Sequence, residues 1–197
     1  METMDFRRHI ETAWNLTLKY IAPLILMTLV LAVVSGITLG ILAPVTLAGY
    51  MQSLLLALRE GREPKVQDLF SEMGLFFPLL GFAILFLVVT LVGFLLFFVP
   101  GLLFMLAASF FLLYMIPLMT DRDLGLFTAL RESCRLSLEG PIADQIVAVV
   151  IFLGVSAVGQ SVFVGFLFTQ PLATLFLLSV YEDKVPPPGE ALDRSGA

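Results

Sequence analysis

All 27 charged residues of this 197-residue chain fall into four clusters, at 2–19, 59–72, 121–144 and 182–194. Between them lie three uncharged stretches, 20–58, 73–120 and 145–181, of 39, 48 and 37 residues. This spacing constrains the fold more than any motif does. One transmembrane helix needs about 20 apolar residues. A single helix over the first stretch would be roughly 58 Å long, about twice the hydrocarbon thickness of a bilayer. Each stretch therefore reads as two helices joined by a turn. The composition agrees, with 59% hydrophobic and 14% charged residues and a mean hydropathy of +1.00. A soluble domain has about 45–50% and about 25%, so a soluble globular enzyme and a disordered chain are both excluded.

The basic residues test the number of crossings. If each stretch crossed once, Arg7, Arg8, Lys19, Arg122, Arg131 and Arg135 would face Arg59, Arg62, Lys65, Lys184 and Arg194 across the membrane. If each crosses twice, all 11 lie on one side. The positive-inside rule prefers the second arrangement and puts both termini in the cytoplasm. The expected fold is an all-α integral membrane protein with about six transmembrane helices arranged as three hairpins. It is one polytopic domain over 1–184, with units near 4–60, 64–120 and 124–182. A flexible Pro-rich cytoplasmic tail follows at 185–197. Glu2, Asp5 and Glu11, and the long apolar run after them, argue against a cleaved signal peptide.

Turn signals fall inside the stretches: Ser35-Gly36, Gly40 and Pro44 in the first, and Val99-Pro100-Gly101 in the second. In the third, Gly154, Gly159, Gly165 and Pro171 spread the break. The return arms at about 44–58 and 166–181 are short for full spans, so they are either tilted inside the bundle or partly re-entrant.

A short amphipathic segment precedes each hairpin and is expected to lie as a helix at the cytoplasmic interface. In the first, Phe6, Ile10, Ala13, Trp14, Thr17 and Leu18 recur at helical spacing. In the second, Val66, Leu69, Phe70 and Met73 follow Pro64, and in the third Phe127, Leu130, Cys134 and Leu138 form the stripe. Arg7, Arg8, Trp14, Lys19, Arg131 and Arg135 are the candidates for facing lipid or a partner. The first and third units also match each other. Ala13-Trp-Asn-Leu-Thr-Leu-Lys19 aligns with Ser133-Cys-Arg-Leu-Ser-Leu-Glu139 at an offset of 120, and the return arms align near Pro44 and Pro171 at an offset of 127. Parallel repeats of this kind are common in transporters.

Chemistry-bearing motifs are scarce. A net charge of −5 and a pI near 4.8 argue against nucleic-acid binding. One cysteine, Cys134, and one histidine, His9, leave no disulfide and no Cys/His metal set, and no cofactor is expected. Asp121-x-Asp123 reads better as a helix N-cap at Asp123, for a helix opening at Leu124, than as a metal site. Gly36-x-x-x-Gly40 is a helix-packing candidate. The uncharged stretches contain no Asp, Glu, Lys, Arg or His, which speaks against an ion-coupled pump, and Gln52, Gln145, Gln160, Gln170, Ser109, Ser156 and Ser161 read as interhelical bridges rather than substrate ligands. His9, beside Arg7 and Arg8, reads as an interfacial surface residue.

The run Val99-Pro-Gly101, Pro117, Asp121-Arg-Asp-Leu-Gly125, Ala129-Leu130, Ser133, Arg135-Leu136 and Gly140 carries a family resemblance, continued by Gly165, Pro171 and Tyr181. It resembles the membrane domain attached to some bacterial glycerophosphodiester phosphodiesterases and the stand-alone membrane proteins related to it. The resemblance covers most of the chain in layout, but its specific residues lie mainly in 99–181. Cys134 stands where that family commonly has Trp, and no phosphodiesterase catalytic domain is present. The resemblance implies a bacterial inner-membrane location and a fold, and carries over no catalytic residue.

The functional expectation is a non-enzymatic membrane protein that interacts with lipid or acts as a scaffold or accessory component. The alternative is a homo-oligomeric channel or small transport component. Its partners are membrane lipids, with another membrane protein or a second copy of the chain as alternatives, and no nucleic acid.

Overall fold

A computed structural model describes residues 4–96, 98–160 and 163–185. The tail at 186–197 therefore lies outside the described residues. Every regular element among them is helical. Helix α1 (Phe6–Lys19) opens at Asp5, whose carboxylate accepts a hydrogen bond from the Arg8 amide at 3.3 Å and so caps it. It meets α2 (Ile21–Ile37) at an 89° bend. A turn over 38–42, with Leu39 and Gly40 at φ 51° and 84°, leads into α3 (Ala43–Glu60), which has Pro44 in its first turn. The turn thus falls where its residues predicted it.

Two 3-10 turns, Val66–Phe70 and Met73–Leu75, lead into α4 (Phe76–Leu96), and Val99-Pro100-Gly101 lies in the first turn of α5 (Phe98–Phe111). After a break at 112–114 come α6 (Met115–Asp121), α7 (Leu126–Leu138), α8 (Ile142–Gln160) and α9 (Phe163–Lys184). The break expected in the third stretch falls on none of the described residues of α8 or α9.

Among the described residues, three helical runs are long and apolar enough to cross a membrane: Val66–Leu96, Phe98–Asp121 and Ile142–Gly159. The count reaches four if the bent pair α1–α2 forms one span. The return arms α3 and α9 differ for a physical reason. They are the interior of the bundle and pack on each other, with α2, α4 and α6 also against α3 and α1, α2 and α8 against α9. Leu175, Phe176, Leu177, Leu178, Val180 and Tyr181 are all buried, so α9 is enclosed on every side over 175–181 and reaches solvent in its last turn. Helices covered by protein can carry Thr46, Tyr50, Ser53 and Ser179, all buried here, because neighbouring groups satisfy them. Helix α4 shows the reverse: Leu79 is buried, while Leu85, Leu95 and Leu96 stand well exposed.

Each leading segment packs on a return helix: the turn at Val66–Phe70 on α3, α7 on α6, and α1 on α9. The first two contacts join neighbours in sequence, and the third joins the two ends of the chain.

The second leading segment is not the expected interfacial helix. Its first 3-10 turn runs so close to α3 that a Cβ on Gly49 would sit 2.4 Å from the Asp68 carbonyl oxygen. Leu69 is fully buried in that contact, and the Asp68 carboxylate accepts from Ser53 Oγ at 2.6 Å and from Arg62. Two glycines let α4 and α5 approach closely. A Cβ on Gly93 of α4 would lie 3.1 Å from Gly101 Cα of α5, whereas one on Gly36 or Gly40 would meet nothing within 4 Å.

Candidate functional site

The last turns of the three return helices converge. Arg59 closes α3, Asp121 closes α6 and Glu182 lies near the end of α9. The Arg59 guanidinium donates two bonds to the Asp121 carboxylate, one of them at 3.0 Å, and Nε donates to Glu182 Oε1 at 2.6 Å. Tyr181 Oη donates to Asp121 Oδ2 at 2.9 Å, and Arg122 Nε stands 3.4 Å from the same oxygen. Arg59 and Asp121 side chains keep 14% and 4% of their exposure, so this cluster is largely removed from solvent. A planar guanidinium matching one carboxylate with two bonds and reaching a second is the geometry in which Arg holds three elements at once.

A second contact joins the chain's ends. His9 of α1 is buried, with Nδ1 2.8 Å from Ser179 Oγ and Nε2 3.1 Å from Asp183 Oδ2, though poorly aligned to donate. The expected surface histidine is thus an interior one, because α1 lies along α9 with His9, Ala13 and Thr17 turned inward. Burial pushes the His9 imidazole below its ordinary pKa, and Asp183 only partly opposes this. Ser, His and Asp are the residue types of a hydrolytic triad. Ser179, however, sits inside a continuous helix whose amides bond their own i−4 carbonyls, leaving no free donors to hold an oxyanion.

Around the break at 112–114, α7 supplies what α5 lacks. Ser133 Oγ donates to the Phe111 carbonyl at 2.6 Å and Ser137 Oγ to the Phe110 carbonyl at 2.9 Å, satisfying acceptors left at the end of α5. Gln145 Oε1 accepts from Tyr114 Oη at 2.8 Å and from Lys184 Nζ at 3.1 Å, so this glutamine does bridge helices. Lys184 also donates to the Leu136 carbonyl at 2.7 Å, setting a cation against the C-terminal turn of α7.

The aligned runs of α1 and α7 occupy equivalent environments. Ala13 and Ser133 are both buried, as are Thr17 and Ser137, and each hydroxyl of the second pair donates to the carbonyl four residues back. His9 and Ala129, at the same offset, are buried too. The prolines do not correspond, since Pro44 opens α3 while Pro171 lies inside α9.

The lipid-facing candidates do not form one site. Arg7 pairs with Glu11 at 2.8 Å, and Lys19 Nζ stands 4.7 Å above the Tyr20 ring. Trp14 is half exposed and packs edge-on to Phe168 at 5.7 Å. Arg8 and Arg131 are exposed, and Arg135 pairs with Glu132. On α7 the exposed apolar positions are Phe127 and Leu138, with Leu130 and Cys134 half-buried beside them. The N-cap expected at Asp123 is absent. Asp123 has a left-handed backbone, φ 50°, and the helix opens later, at Leu126 behind Gly125. The Asp121 of the same motif belongs to the Arg59 cluster instead.

That cluster escaped the sequence reading, yet a signal for it exists. Arg59, Asp121 and Glu182 are the first charged residues after each of the three uncharged stretches.

Comparison of the chain with family models, curated proteins and solved structures gave no match.

Proposed function

We propose that this protein is a non-enzymatic, multi-pass membrane protein that interacts with lipid and serves as a scaffold or accessory component. It crosses the membrane six times as three hairpins, with all four charged clusters and both termini on the cytoplasmic side. The observation that carries the topology is the meeting of Arg59, Asp121 and Glu182. Each follows a different uncharged stretch, and their contact supports an arrangement with all three ends on one side of the bilayer. His9 with Asp183, and the Met4 amide with Asp144 at 3.2 Å, support the same side for the first cluster. The resemblance to the membrane domain of bacterial glycerophosphodiester phosphodiesterases is in keeping with a bacterial inner-membrane setting.

The lipid reading is supported by the perpendicular setting of α1 against α2, which lays α1 along the bilayer plane if α2 spans it. Ile10, Trp14 and Leu18 then form an exposed apolar edge beside Arg7, Lys19 and Glu11. Protein purified in mild detergent is expected to retain anionic phospholipid, and alanine at Arg7, Arg8, Lys19, Arg131 and Arg135 together to lower that retention. Unchanged retention would contradict the lipid role. A homo-oligomeric channel or transport component is the second reading, favoured by the repeated environments of α1 and α7. Ion or solute flux through reconstituted vesicles is its test, and no flux together with a monomeric mass for the purified protein would remove it.

A further inference from the structure

Helices α4 and α5 border two apolar cavities that share a wall. One, of about 330 Å³, runs between the two helices and reaches Leu130 of α7. The other, of about 300 Å³, is bordered by α3, α8 and α9 through Met51, Phe152 and Leu177. Phe82, Phe86, Ala108 and Leu112 line both. Each volume falls at the lower end of the range for small-ligand sites, about 300–1,000 Å³.

The walls select the occupant. Ser109 is the one lining residue with a polar side chain, and its hydroxyl is already donated to the Met105 carbonyl at 2.8 Å. A polar solute would leave its own groups unpaired there, whereas hydrocarbon would not. Shape narrows the choice further. The first cavity follows α4 from Phe82 to Val89 and α5 from Phe104 to Phe111, roughly 10 Å along each helix at 1.5 Å per residue. Such a seam suits an extended chain. Its end at Leu130 is followed on α7 by Arg131, which is exposed and makes no ion pair among the described residues. Arg135, one turn on, is occupied by Glu132.

We propose that the paired cavities hold the two acyl tails of one anionic membrane phospholipid, with its phosphate at Arg131. Two hydrocarbon slots on either side of one wall match two tails, and a cation at the end of the seam matches the charge. This site rests on the lipid-interacting reading and gives it a place in the fold.

The test is native mass spectrometry of the full chain, extracted after reconstitution into equal parts phosphatidylglycerol and phosphatidylcholine. The wild type is expected to retain one phosphatidylglycerol in preference to phosphatidylcholine. Ala108→Phe, which puts a ring into both cavities, should lower that occupancy about tenfold. Arg131→Ala should keep a phospholipid and lose the preference for phosphatidylglycerol, and Arg131→Lys should restore it. Should Ala108→Phe fail to fold, Ala107→Phe, at an exposed position lining the first cavity, gives the same measurement. Wild-type retention in the cavity variants and in Arg131→Ala would overturn the site. If retention then disappears on changing Arg7, Arg8 and Lys19, the lipid reading stands with its site elsewhere. A wild type that retains no phosphatidylglycerol overturns both.

Discussion

Arg59 and Asp121, 62 residues apart in sequence, meet through two hydrogen bonds from one guanidinium to one carboxylate. The contact joins α3 to α6, and Glu182 adds α9 to it. With both side chains nearly enclosed, removing Arg59 takes two bonds from Asp121, which keeps Tyr181 and Arg122, and the guanidinium from Glu182. Arg59→Ala is therefore expected to destabilise the protein by about 1–3 kcal/mol, less than for a fully stranded charge. Arg59→Met combined with Asp121→Asn should recover part of the loss, because neither variant residue carries a buried charge. Thermal unfolding in detergent, followed by size-exclusion recovery, reads both.

A contrast between two glycines checks the packing of the second charged segment. Gly49→Ala would force the Asp68–Leu69 backbone off α3 and should cost about 1–3 kcal/mol. Gly36→Ala, in open space within α2, should be neutral or stabilising by up to about 1 kcal/mol. The same unfolding measurement compares them, and equal losses would contradict the described contact.

The His9 contact makes stability depend on pH in a defined direction. Burial holds the folded imidazole below its ordinary value of 6.5. As pH falls through 6.5 the unfolded chain takes up the proton first, so stability is full above that value and declines below it. The loss is at most about 1.4 kcal/mol per pH unit and continues until the folded pKa is passed. The groups facing His9 are Ser179 and Asp183 from α9 and Asp5 and Arg8 from its own helix region. Melting curves between pH 7.5 and 5.5 should show this decline in the wild type and a shallower one in His9→Gln.

The layout was legible because charge and turn chemistry are local. Uncharged runs mark where the chain enters apolar surroundings, and Ser35-Gly36, Gly40 and Pro44 bracket the turn at 38–42. What depended on distant partners was not legible. His9 looks like a surface residue until α9 supplies Ser179, 170 positions later. Asp121 and Asp123 look alike in sequence, yet one faces Arg59 and the other holds an exposed left-handed turn. The stripe Val66, Leu69, Phe70 and Met73 has helical spacing, but the pull of Asp68 on Ser53 and Arg62 winds the segment tightly against α3. The interior place of α3 and α9 was one of two alternatives, and their buried Thr, Ser and Tyr residues are its mark in the sequence.

The central claim is that every uncharged stretch returns to the side it left. Single cysteines at Glu11, Leu39, Glu63 and Asp123, in a Cys134→Ser background, test it with a membrane-impermeant maleimide on sealed vesicles of known orientation. All four positions are exposed. Labelling of Glu11, Glu63 and Asp123 from the cytoplasmic face, and of Leu39 from the opposite face alone, is the predicted result. Labelling of Glu63 from the face opposite Glu11 would mean a single crossing between them and would contradict the account.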